Sequence, residues 1–155
     1  MKKINSASAV VTTYNNSTTI QKTIESILNQ IIPIKDLVIV DDNSSDDTIF
    51  KIKYLFKNEI NDGIIKIYIN KKNHGGPAFS RNFGISKTTF EYIYLCDGDD
   101  IWFPNLTKVY NQIFLKYNPD IISSERIFFQ NYTDSKIKIY RKYQFYQLSK
   151  FNFLK

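Results

Sequence analysis

A chain of 155 residues with 43% hydrophobic and 15% aromatic side chains can bury one core, which favours a single globular domain and excludes a disordered or low-complexity chain. The formal charge of +6 would ordinarily raise nucleic acid as a partner, but residues 1–135 hold 15 basic and 15 acidic side chains, and the excess lies wholly in 136–155, which has six basic residues, six aromatics and no acid. No apolar run approaches the roughly 18 residues needed to cross a bilayer, the start MKKINSASAVV has too short an apolar segment for a signal peptide, and the one cysteine, Cys96, leaves no internal disulfide or thiolate metal cluster.

The expected compartment is therefore the cytoplasm, and Cys96, at the end of an apolar run, is expected to be buried and inert. The basic aromatic stretch 136–155 suits a membrane surface, an anionic polymer or nucleic acid by composition, or simply a strand or helix of a larger domain. The larger-domain reading is the plainer one; peripheral contact at the inner face of the membrane is kept beside it, and nucleic acid is not an expected partner.

In chain order, Ala7–Thr13 ends in β-branched residues and reads as a first strand, with Tyr14, Asn15, Asn16 and Ser17 as turn chemistry. Ile20, Ile24, Ile27 and Leu28 then fall on one helical face, capped by Ser17 or Thr18, with Pro33 marking the exit. Leu37–Val40 is a continuous apolar run of the kind buried in parallel sheets, ending at Asp41. The capping residues of 43–48 lead into a second helix whose apolar positions are Ile49, Ile52, Tyr54, Leu55 and Phe56, closed by a polar stretch with Gly63.

Ile64–Ile69 alternates as a third strand. The loop through Gly75 and Gly76 allows close backbone approach, and Pro77 opens a short helix through Arg81. A fourth strand runs from Tyr92 into Asp97, Asp99 and Asp100. Pro104 opens a helix with Leu106, Val109, Tyr110, Ile113 and Phe114 as its buried face, and Ile121–Phe129 offers a fifth strand. Strands alternating with helices at this spacing predict an α/β fold, a mostly parallel, Rossmann-like sheet with helices on both faces.

Ligands of such sheets bind at the carboxyl ends of the strands. Thr12–Asn15, Asp41–Ser44, Lys71–Gly76 and Asp97–Asp100 all lie there, so four polar clusters meet at one edge. Two carboxylates at neighbouring positions across Gly98 suit Mg2+ or Mn2+ shared with a diphosphate. The plainer reading is that these acids cap the loop and the next helix, but their mutual repulsion gives a cation a reason to be there. Asp41 and Asp42 likewise read either as helix-start chemistry or, for Asp42, as an acceptor for a nucleobase imide, with Tyr14 stacking on the ring. Arg81 is a surface residue or a forked donor to a base or phosphate, and His74 is most simply a loop residue.

Taken together, VVTTYN, VIVDDNSSDDT, NHGGPAFSRNFGI and YLCDGDDIWFP, in this order and spacing, resemble the nucleotide-binding half of the family 2 glycosyltransferases of the GT-A fold, over roughly residues 7–130. The resemblance implies transfer of a sugar from a nucleotide donor, commonly UDP-linked, with inversion, to a glycan or lipid-linked acceptor. Carried over to this chain, it places Thr12 and Tyr14 beside the base, Asp42 on the base edge, Arg81 near the nucleotide, Asp97 near the ribose, Asp99 on the metal with Asp97, and Asp100 toward donor sugar or acceptor. Residues 1–135 would then be the nucleotide-sugar binding lobe and 136–155 the start of an acceptor lobe, cut short. In similar proteins the general base is a carboxylate of that later half. After Asp100 the acids are Asp120, Glu125 and Asp134, none in a recognisable catalytic setting. A non-catalytic nucleotide-sugar binding fragment, or one part of a split enzyme, is the alternative. A phosphoacceptor signalling domain would place its acid pair at the first strand, which here ends in TTYN.

Overall fold

The structure, a computed structural model, describes residues 6–124 and 143–146. Ser8–Thr13 (β1) and Asp36–Asp41 (β2) are buried along their whole lengths, as continuous apolar runs require of strands covered on both faces. They pair in parallel, with Ser8 opposite Asp36 and Thr13 opposite Asp41. Ile65–Ile69 (β3) extends the sheet beyond β2, and Ile93–Asp97 (β4) joins the far side of β1, giving the all-parallel order β3-β2-β1-β4. The winding therefore reverses between β1 and β4, which is where open parallel sheets hold ligands at their carboxyl ends.

Helices cover both faces. Val10, Val38 and Val40 point to one side, with Tyr68, Phe83 and Ile93 packed against them. Pro77–Ile85 (α4) lies on that side, so close that a Cβ on Gly84 would be 2.4 Å from Val10 Cγ1. Ala9, Val11, Leu37 and Ile39 alternate to the other side and are equally inaccessible. Ile20–Leu28 (α1) buries Ile20, Thr23, Ile24 and Ile27, and Thr48–Leu55 (α2) packs beside it, burying Thr48 and Ile52. Helices this short are marginal alone; each fully buried isoleucine contributes roughly 1.5–3 kcal/mol, so packing rather than propensity holds them.

Several elements differ from expectation. The first helix has Thr19 at its N-cap position, making no side-chain cap bond, because Ser17 and Thr18 still belong to the turn. The second is split into α2 and Lys57–Asn61 (α3), and its buried stripe is Thr48, Ile52 and Phe56, leaving Tyr54 and Leu55 exposed. The helix at Pro77 continues past Arg81 to Ile85. Leu106–Tyr117 (α5) starts after Pro104, whose carbonyl accepts the Ile31 N–H at 3.1 Å. Its most buried residues are Thr107, Asn111 and Phe114, while Leu106, Val109, Tyr110 and Ile113 are half-buried. Thr107 is drawn in by Gln30: its N–H donates to Gln30 Oε1 at 3.0 Å, and its hydroxyl accepts the Ile32 N–H at 3.2 Å.

The chain divides into two compact units, Lys2–Val109 and Tyr110–Lys155. The first holds the four-stranded sheet. In the second, Ile121–Ser124 (β5) pairs antiparallel with Tyr143–Tyr146 (β6). The rest of the expected fifth strand, 125–129, and most of the basic aromatic stretch lie outside the described residues. Among the described residues no helix is long and apolar enough to cross a membrane.

Candidate active site

The parallel register sets Thr12 of β1 opposite Asp97 of β4, at the winding reversal. Thr12 Oγ1 donates to Asp97 Oδ1 at 3.3 Å, and Arg81, carried in by α4, donates to the same oxygen through Nη2. The Arg81 and Asp97 side chains remain 32% and 25% exposed, so the pair is reachable. Arg81 Nε is buried and has no acceptor among the described residues, an arrangement that a ligand oxygen would complete.

The turn after Asp97 is built tightly. Gly98 N–H donates to the Thr12 carbonyl at 2.8 Å, and its own carbonyl accepts from the Thr19 and Thr23 hydroxyls, both at 3.0 Å. A Cβ on Gly98 would lie 2.8 Å from both Thr13 Oγ1 and Asn16 Oδ1. The side on which residue 98 would carry a side chain is thus filled by Thr13 and Asn16. Open space lies instead beside Gly75 and Gly76, where an added Cβ meets nothing within 4 Å. Past the turn, Asp99 is exposed and Asp100 half-buried, its N–H donating to the Asp97 carbonyl at 3.0 Å. The following loop is fastened to α1 and the residues after it, by Trp102 N–H on Ser26 Oγ at 3.0 Å and by Gln30 Nε2 on the Phe103 carbonyl at 2.9 Å. Cys96 is buried, its Sγ near the Asp97 carbonyl at 3.4 Å.

Tyr14 projects from the end of β1 with 48% of its surface exposed. Its loop is held on both sides. Asn15, in the left-handed region at φ 52°, receives the Ser45 N–H at 2.9 Å, and Asn16 Oδ1 receives Thr13 Oγ1 and the Tyr14 N–H.

The acids after β2 separate by their partners. Asp41 is turned into its own loop, taking the Ser44 N–H at 2.8 Å and the Ser44 hydroxyl. Asp46 serves the start of α2, receiving the Thr48 and Ser17 N–H groups, both at 3.0 Å. Asp42 is 5% exposed and is the centre of a network that the sequence reading did not foresee. It accepts Asn70 Nδ2 at 2.7 Å, the His74 N–H at 2.9 Å, His74 Nδ1 at 3.0 Å and Ser80 Oγ at 3.3 Å. Burial would raise its pKa, but the bonds from His74, Asn70 and Ser80 prevail and hold it below the ordinary carboxylate value. His74 also stacks on Phe79, ring centroids 3.8 Å apart. The available signals were a polar Asn70 ending the β3 run and a small Ser80 on an otherwise apolar helix face.

The sequence profile described as Glycosyl transferase family 2 matches residues 8–155. The chain belongs to glycosyl transferase family 2. Poly(ribitol-phosphate) beta-N-acetylglucosaminyltransferase TarP from Staphylococcus aureus is 35% identical over 105 residues, 65% of this chain and 29% of TarP. A GalNAc(5)-diNAcBac-PP-undecaprenol beta-1,3-glucosyltransferase from Campylobacter jejuni is 34% identical over 93 residues, 60% of this chain and 29% of that enzyme. Among solved structures, S. aureus TarS 1-349 in complex with UDP-GlcNAc superposes with a TM-score of 0.65 at 28% identity, covering 76% of this chain and 33% of that one. The fold of this family 2 chain is thus the GT-A fold, and the chain spans about a third or less of the length of these relatives.

Proposed function

We propose that this family 2 chain is the donor-binding part of an inverting glycosyltransferase, which takes a UDP-linked sugar and passes it to a glycan or lipid-linked acceptor. The observation that carries the proposal is the convergence, at the winding reversal, of Thr12, Arg81 and Asp97 with the exposed Tyr14 and Asp99 on adjoining turns. The UDP-GlcNAc of the TarS complex supports a uridine donor, and the name of the C. jejuni relative supports a lipid-linked acceptor. On this reading residues 1–135 form the donor lobe and 136–155 begin the acceptor side, in peripheral contact with the inner face of the membrane.

Each residue then has a task. The Tyr14 ring covers the base beside Thr12, and Asp42 accepts a hydrogen bond from the base edge. Arg81 offers Nε to the nucleotide while its Nη2 is held by Asp97, so both heads are oriented before the ligand arrives. Asp97 meets the ribose, and Asp100 faces the donor sugar or acceptor.

A divalent cation fits the donor set. Among the described residues no three His, Cys, Asp or Glu side chains converge on a metal site, but a cation shared with a diphosphate takes only one or two carboxylates. Asp99, exposed, with Asp97 two residues before it, would hold Mn2+ or Mg2+, whose chemistry there is neutralisation of charge on the diphosphate leaving group. Titration with UDP is expected to show tighter binding with Mn2+ than without. Asp99→Ala should erase that increment; an unchanged increment in the variant removes Asp99 from the metal.

Inverting transfer needs a base at the acceptor hydroxyl. Asp120, exposed, is the one acid among the described residues after Asp100; Glu125 and Asp134 lie outside them. The second reading is nucleotide-sugar binding without transfer, by a non-catalytic fragment or one part of a split enzyme. Multiple turnover of a UDP-sugar by the purified chain would exclude it.

A further inference from the structure

The hydrogen-bond network on Asp42 bears on which base the site admits, an inference that rests on Asp42 meeting the base. Both hydrogens of the Asn70 amide are committed, to Asp42 Oδ1 at 2.7 Å and to Ser80 Oγ at 2.9 Å. The 3.5 Å approach of the same nitrogen to His74 Nδ1 is therefore not a bond, and Nδ1 carries the hydrogen that it donates to Asp42 Oδ1 at 3.0 Å. Ser80 Oγ, having accepted from Asn70, directs its own hydrogen to Oδ1 at 3.3 Å. Oδ1 thus has three donors, whereas Oδ2 has one, the His74 backbone N–H at 2.9 Å.

A carboxylate oxygen offers about two lone-pair directions, so Oδ1 is saturated and the acceptor capacity left to a ligand is on Oδ2. We propose that Asn70, His74 and Ser80 are specificity-determining residues: by filling Oδ1 they make Asp42 a one-oxygen acceptor for a base with a single N–H between two carbonyls, as in uracil. Guanine presents two adjacent donors on the corresponding edge, N1–H and N2–H2, which need both oxygens of a carboxylate at once. One of them would be left without an acceptor in a desolvated site, a mismatch that lowers affinity about 10-fold to 100-fold.

The test is calorimetric titration of the full chain with UDP and with GDP at one Mn2+ concentration. The diphosphate and any metal contribution are common to both ligands, so the ratio of Kd values reports the base. The wild-type chain is expected to prefer UDP by at least about 10-fold. His74→Phe combined with Ser80→Ala keeps the backbone N–H at position 74 and the stack on Phe79 but removes two of the three donors, leaving Asn70 alone on Oδ1 and a lone pair free; the preference should narrow through a gain for GDP. Asn70→Ala combined with Ser80→Ala leaves only His74 Nδ1 on Oδ1, frees the same oxygen by another route and carries the test where one variant does not fold. GDP bound as tightly as UDP by the wild-type chain, or a ratio unmoved in both variants, would overturn the selectivity. UDP affinity unchanged in Asp42→Ala, or no binding of either nucleotide, would instead overturn the underlying assignment of Asp42 to the base.

Discussion

At the scale of single residues, acids of the same type in one short stretch do different work because their partners differ. Asp46 is the plainest case. Burial would raise its pKa, but hydrogen bonds from Thr48 and Ser17 outweigh that and bring it down to about 2. A carboxyl whose folded pKa lies below its unfolded value of 3.8 contributes fully above about pH 4, and that contribution is lost as the pH falls through about 2. Because the residue is exposed, solvent screening leaves on the order of 1 kcal/mol. Asp46→Asn should therefore lower stability by about 1 kcal/mol at pH 7, with the difference from wild type shrinking between pH 4 and pH 2, as read from urea midpoints. Which acid serves its own loop and which gathers distant donors was not legible beforehand. Asp42 meets donors from positions 70, 74 and 80, and no local pattern announces partners so far along the chain.

At the scale of elements, apolar periodicity located every described strand of the parallel sheet and most helices, but it misjudged faces and ends. The helix at Pro77 was expected as a short one through Arg81. Gly84 instead lies inside the helix and permits its contact with the sheet, since a Cβ there would be 2.4 Å from Val10 Cγ1 and 3.1 Å from Val40 Cγ2. Packing decides against propensity here. Alanine favours a helix over glycine by about 1 kcal/mol, yet overpacking a buried contact costs roughly 1–3 kcal/mol and the neighbours are β-branched valines with little freedom. Gly84→Ala is expected to destabilise the fold and, because Ser80 and Arg81 ride on the same helix, to weaken UDP binding as well. Denaturant unfolding and nucleotide titration of one variant check both, and a stabilised variant would contradict the close packing. Tyr54 is the reverse error: expected among the apolar positions of the second helix, it is exposed and stacks on the exposed Phe50, ring centroids 6.0 Å apart.

At the scale of the whole molecule, continuous apolar runs made the parallel sheet legible, and polar clusters at the strand ends pointed to one candidate edge. The strand order was not, because it depends on which side of β1 the fourth strand joins. That order brings Thr12 and Asp97 opposite each other at the candidate site. The same sheet has a second polar cluster at its amino end. Asp36, 2% exposed, accepts from Lys66 Nζ at 2.7 Å, from the Thr89 N–H at 2.7 Å and from the Ser8 hydroxyl at 2.5 Å, joining β1, β2, β3 and the segment before β4. Burial raises its pKa, but the bonds from Lys66, Ser8 and Thr89 lower it further, so its contribution too is present above the unfolded pKa and lost in acid. Removing it leaves buried donors without an acceptor, and Asp36→Ala should cost on the order of 3 kcal/mol. Asp36 and Asp41 are the first and last residues of β2, which at about 3.3 Å per residue places the two ends of the strand roughly 16 Å apart. Sites that far apart without shared partners act independently. Asp36→Ala, titrated with UDP well below its lowered unfolding midpoint, is therefore expected to bind as the wild-type chain does, whereas a matching loss of affinity would mean that the staple at one end of the sheet also sets the geometry at the other.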